Sequence, residues 1–252
     1  MPMSQRSQSL NVPIIKDIAL FFRFLGHLAY SITDALPSQM PLVWLNFLRT
    51  VYYSGAKMVI PLMLITSLMG ASLILNIHHI LSPLYMQNKV LQVAQSILFY
   101  DLLPFAIGLV LSIQLALNLV NAQVKKLQRT THEVMLQFII PMILGSNLSA
   151  LLLYVYSLNA ILISIYFCFR YLLQTNLHEY LFHLTSTITS INILYSIFKT
   201  LIYCTIVSLV VGYYYYTVAS AHLTLRRAMS RIMTRSLLCL TISSIYFKFF
   251  SY

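Results

Sequence analysis

From residue 58 onward the chain is built of apolar stretches of membrane-crossing length joined by short polar connections. A hydrocarbon core roughly 30 Å thick needs about 20 apolar residues per helix and leaves no water to satisfy irregular backbone. Stretches near 58–80, 96–120, 138–169, 191–216 and 237–250 meet or approach that length. The expected fold class is therefore an all-α integral membrane protein with about five transmembrane helices. Residues 138–169 exceed what a span requires, and Pro141 with Gly145 is expected to mark a break near their start, whereas 237–250 is short. Only 8% of residues are charged, where a soluble domain carries roughly 25%.

Positive charge is concentrated in two connections, Lys125, Lys126 and Arg129 in one and Arg226, Arg227, Arg231 and Arg235 in the other. Under the positive-inside rule both face the cytoplasm, and the opposite connections hold only Lys89 and Arg170 among basic residues. An odd number of spans then puts the amino terminus inside and the carboxyl terminus outside. The net charge of +11 sits at the ends of apolar segments, so it reads as topology signal and anionic-lipid contact rather than nucleic-acid binding. Residues 14–28 are interrupted by Lys16, Asp17 and Arg23 and do not read as a secretory signal. On a helical wheel Lys16, Arg23 and His27 oppose Ile14, Ile18, Phe21 and Leu25, the pattern of an amphipathic helix lying in the headgroup layer. Residues 42–53, with Trp44, Arg49, Tyr52 and Tyr53, read as a second interfacial piece. The expected organisation is an interfacial region at 1–57 and one membrane domain at 58–252.

Charged residues inside a membrane are costly, about 3 kcal/mol each at the bilayer centre, and mark function or pairing. Asp101 and Lys199 are the clearest cases, both toward the external half. Pairing with each other, contact with a lipid headgroup, or snorkelling to the outer interface would each account for them. Asn118, Asn121, Asn147 and Asn159 are candidates for hydrogen bonds between helices. His78, His79, His178 and His183 fall in the external connections, where interfacial placement explains them better than a metal or haem site. The run 213–216 of four tyrosines ends the fourth span and reads as an aromatic belt. Cys168, Cys204 and Cys239 are far apart and sit in or beside apolar runs, so they read as small apolar fillers.

No G-x-x-x-x-G-K-[ST] loop occurs, so the sequence offers no P-loop for ATP phosphates. With five acidic residues and no nucleophile beside a plausible base, a hydrolase is weakly supported, and no cofactor is expected.

Several segments resemble the MlaE/YrbE-type permeases of ABC lipid transporters associated with MCE proteins. Tyr100, Asp101, Leu102, Leu103 and Pro104 stand where that family has an R-E-L-G-P-like segment opening its second span, keeping the acid and the proline. The stretch 51–75, with Tyr52, Gly55 and Gly70, is similar to the family's first span, and Lys199 with Thr200 resembles its K-S pair. Gly212 and Tyr213, then Arg227, Ala228, Met229, Ser230 and Arg231, resemble its G-Y and R-A-T-T-R signatures. Two departures are plain. The A-G-R-x-G-S segment falls near Ser112, Ile113, Gln114, Leu115, Ala116 and Leu117, without its arginine or glycines, and the E-Q-x-x-A-L helix is represented at best by His132, Glu133, Val134, Met135 and Leu136.

The resemblance implies a permease subunit, not itself an enzyme, that moves phospholipid or another lipid between membranes with a separate ABC ATPase. It implies a cytoplasmic coupling helix at 124–137, where Lys125, Lys126, Arg129 and Glu133 present charge to the ATPase. A second permease copy, most simply a homodimer, and an MCE-domain protein are the further partners implied. The implied location is a bacterial inner membrane, or an organellar membrane of bacterial descent. A structural or cofactor-carrying subunit of a membrane complex is the alternative, and a secondary transporter, which would be expected to show inverted repeats, is a third.

Overall fold

A computed structural model describes residues 13–35, 40–81, 90–126, 134–173, 180–181, 189–219 and 224–250. Helices α1 (Pro13–Ala35), α2 (Met40–Thr50), α3 (Val59–Leu81), α4 (Val90–Ile97) and α5 (Leu103–Lys126) come first, followed by α6 (Ile140–Leu173), α7 (Ser190–Ala219) and α8 (Leu225–Phe250). No strand occurs among the described residues. Among the described residues four helical stretches are long and apolar enough to cross a membrane: Val43–Leu81, Val93–Leu119, Met135–Tyr171 and Ser190–Val218. The protein is an all-α membrane protein, as its apolar periodicity implies. Helix α8 covers the expected fifth span, but its first half carries Arg226, Arg227, Arg231 and Arg235, so composition alone does not make it one.

Three of the long stretches are interrupted by the same device, one that commonly kinks a helix. A π-type turn occupies Val51–Gly55 between α2 and α3, Leu98–Leu102 between α4 and α5, and Met135–Ile139 ahead of α6. Such a turn shifts the hydrogen-bond register by one residue and leaves carbonyls without their usual donor. Prolines reinforce the second and third. Pro104 and Pro141 have no N–H to give to the carbonyls of Tyr100 and Gln137 four residues earlier. In a membrane an orphaned carbonyl needs a partner from the protein itself. Gln114 Nε2 on α5 donates to the Tyr53 carbonyl at 3.0 Å, and Asn46 Nδ2 on α2 donates to the Gln137 carbonyl at 2.8 Å. The break expected near Pro141 is this turn, and α6 then runs unbroken for 34 residues, about 51 Å.

Glycine and serine let the interrupted segments sit against α6. A Cβ on Gly145 would lie 2.9 Å from Thr50 Cβ, and one on Gly55 would lie 3.0 Å from Ser149 Oγ. Gly145 and Ser149 thus form a small-residue face four apart on which the end of α2 and the turn after it rest. Gly145→Val is expected to force these helices apart and cost roughly 1–3 kcal/mol. Thermal unfolding in detergent checks this, and an unchanged midpoint would mean α2 is not held at that contact.

Polar contacts join α6 to α7, where Ser146 Oγ meets Ser208 Oγ at 2.6 Å, Thr205 Oγ1 donates to Asn147 Oδ1 at 3.1 Å, and Cys204 Sγ donates to the Ser146 carbonyl at 3.2 Å. Each is worth only about 0.6 kcal/mol in a membrane, so their combined role is registry more than adhesion. Of the asparagines expected to bridge helices, Asn147 does so, and Asn118 Nδ2 reaches Ser54 Oγ at 3.1 Å. Asn159 instead donates back to Val155 within its own helix, because it faces outward, and the Asn121 side chain lies outside the described part. Cys204 is a buried filler, while Cys168 and Cys239 are partly exposed.

The tyrosine run corrects the sequence reading. Tyr213, Tyr214, Tyr215 and Tyr216 are all buried, not arrayed in a lipid-facing belt. Helix α1 covers two of them: Phe24, fully buried, lies with its ring centroid 6.1 Å from that of Tyr213 and 5.8 Å from that of Tyr216. Arg235 on α8 stacks over Tyr214 at 5.6 Å. The buried side of α1 is thus Phe24, Leu28 and Ser31, with Phe21 at its edge and Arg23 and His27 exposed. An amphipathic pattern does not say whether lipid or protein covers its apolar side, and for α1 a large part of the cover is protein.

Candidate functional site

The turn at Leu98–Leu102 carries Asp101, on which two lysines converge. Its register shift, with Pro104 behind it, frees the carbonyls of Phe99 and Tyr100 and sets Asp101 on the same side. Helix α7 answers with two residues one turn apart. Ser196 Oγ donates to the Phe99 carbonyl at 2.5 Å, and Lys199 Nζ donates to the Tyr100 carbonyl at 2.8 Å and to Asp101 Oδ1 at 2.8 Å. Thr200 Oγ1 closes back on the Ser196 carbonyl at 2.7 Å.

Asp101 and Lys199, the intramembrane pair singled out by sequence, are thus brought together as an ion pair. Lys199 is not snorkelling: its side chain is 2% exposed, with aromatic rings of Tyr203 and Phe247 each 5.8 Å from Nζ. Two oxygen acceptors and two ring faces satisfy an ammonium in a place where water cannot. A third charge joins from the last helix. Lys248 Nζ lies 3.3 Å from Asp101 Oδ2, and its side chain is 67% exposed. Consecutive residues of α8 therefore do different work, Phe247 lidding Lys199 and Lys248 touching the far side of the carboxylate. Sequence reasoning missed Lys248; its signal was an isolated lysine in Tyr246, Phe247, Lys248, Phe249 at the end of an apolar segment.

The candidates expected on the cytoplasmic side are described only in part. Lys125 and Lys126 close α5, with side chains outside the described part, and Arg129 and Glu133 lie outside the described residues. Met135 and Leu136, at the far end of the expected coupling helix, are buried in the turn ahead of α6. Arg226 and Arg227 open α8, so the basic residues at its start and Lys248 near its end lie at opposite ends of one helix. Among the described residues no group of three or more His, Cys, Asp or Glu could hold a metal. His78 and His79 end α3, while His178 and His183 lie outside the described residues.

The signature residues of the resemblance have structural work. Asp101 and Pro104 make the ion pair and its turn, Lys199 answers them while Thr200 ties back to Ser196, and Gly212 admits Ile139 and Phe24 at 3.1 and 3.3 Å from where a Cβ would stand. Gln114, in the segment that lacks the family's arginine, supports the first turn. The family model described as Permease MlaE matches residues 47–250. No curated protein matches the chain.

Proposed function

The chain belongs to the MlaE permease family, and on that premise we propose that it is the membrane subunit of an ABC transporter that moves phospholipid or a similar lipid between membranes. The family match, spanning all the helices from α3 to α8, is the observation that carries this reading. A multi-pass permease subunit needs a motor, and the motor is a separate ATPase bound at the cytoplasmic end. There Lys125, Lys126, Arg129 and Glu133 supply charge to a helix-in-groove contact. ATP binding draws two ATPases together and rocks the helices attached to them, changing which leaflet the cavity accepts lipid from.

Two copies of the chain face each other around a lipid-sized cavity, walled by the first, second and fifth membrane helices, and an MCE-domain protein caps it externally. Apolar walls suit acyl chains. The membrane is a bacterial inner membrane or an organellar one of bacterial descent.

Purification from the native membrane tests the reading. An ATPase subunit is expected to elute with the permease in stoichiometric amount and to hydrolyse ATP in its presence. Haem or metal bound at one per chain, with no ATPase present, would overturn it in favour of a cofactor-carrying subunit.

A further inference from the structure

We propose that Lys248 is an anion contact that makes this permease prefer phospholipids of net negative charge, a specificity that rests on the lipid-permease reading and goes beyond it. The argument begins with charge. Asp101 carries one negative charge, and Lys199, bound to it at 2.8 Å and 2% exposed, balances it. Lys248 is a second cation on the same carboxylate, so the cluster keeps one unbalanced positive charge. That charge is accessible, because Lys248 is 67% exposed, while Lys199 is shut away under Phe247. The headgroup contact open to either member of the pair by sequence therefore falls to neither of them, but to Lys248.

The surroundings fit a phospholipid better than a soluble anion. On α8, Ile242, Ile245 and Phe249 form an exposed apolar stripe at helical spacing, with Lys248 one turn beyond Ile245. An acyl chain along this stripe places its phosphate at the ammonium. Arg226 and Arg227 stand at the other end of the same 26-residue helix, about 30 Å away, which sets Lys248 at the opposite headgroup layer. The contact at 3.3 Å to Asp101 is the one a phosphate replaces, and the carboxylate keeps Lys199 throughout.

The test is native mass spectrometry of the full chain in detergent, titrated with equal amounts of phosphatidylglycerol and phosphatidylcholine. The wild type is expected to retain the anionic lipid in excess. Lys248→Gln should lower that excess about fivefold, the worth of one basic side chain at an anionic surface. Lys248→Arg should preserve it. Equal retention of both lipids by the wild type, or an excess unaltered in Lys248→Gln, would overturn the assignment. Lys248 is exposed, so its replacement is not expected to unfold the chain, and a matching thermal midpoint for Lys248→Gln verifies this. No ATPase takes part in the measurement. An unchanged lipid preference in a chain that still recruits its ATPase removes this inference alone, while failure to recruit an ATPase removes the ATP-driven transport reading and leaves the Lys248 contact as a lipid-binding property only.

Discussion

Asp101→Ala is expected to be the most destabilising single replacement in the charge cluster, at roughly 3–5 kcal/mol. The reason is Lys199, 2% exposed, whose ammonium would keep only the Tyr100 carbonyl and two ring faces. A buried ion pair is weak evidence of net stability, but breaking one side leaves a charge that neither lipid nor water can reach. Replacing both partners, Asp101→Ala with Lys199→Met, should recover most of the loss, because no buried charge is then left without a partner. The double-mutant cycle read by thermal unfolding in detergent decides the matter. Additive losses would mean that the two residues act independently and that the geometry at 2.8 Å carries no coupling.

Reversing charge at Lys125, Lys126 and Arg129 together is the second large effect, and it falls on assembly instead of folding. If these residues face the ATPase, the triple change to Glu should weaken its binding by roughly 2–5 kcal/mol, thirtyfold or more. ATP turnover by the assembled complex should fall with it while the permease keeps its thermal midpoint. Undiminished co-elution and turnover would remove the coupling role from 124–137 and leave those lysines as topology signals. Higher salt should weaken the wild-type complex in the same direction, since exposed charge contacts are screened.

How much of this was legible beforehand varies by residue. The apolar lengths were enough for the four long helical stretches, because length and hydropathy are properties of a segment and need no partner. Asp101 and Lys199 were legible as candidates because charges in a hydrocarbon core stand out. Their pairing was not, since 98 residues separate them and three outcomes were physically open. Lys248 was overlooked because a lysine near the end of a span usually snorkels, and only its approach to Asp101 distinguishes it. Tyr213 to Tyr216 misled for the opposite reason. A tyrosine run at a span end is what a lipid interface favours, but α1 folds over part of it and the run is interior.

The π-type turns show the division most clearly. Pro104 and Pro141 by themselves determine that the carbonyls four residues earlier lose their donors, since that follows from a ring nitrogen without hydrogen. The sequence likewise determined that the chain is helical and belongs in a membrane, because a charge-poor chain of this length has no other solvent in which to fold. What only the tertiary structure decided is who answers the freed groups: Ser196 and Lys199 at one turn, Asn46 at another, Gln114 at the third. Helix orientation and close approach select those partners, and neither is encoded in any single segment. The same holds for the charge cluster, where a local excess of one positive charge exists only because three separate helical segments bring Asp101, Lys199 and Lys248 to one point.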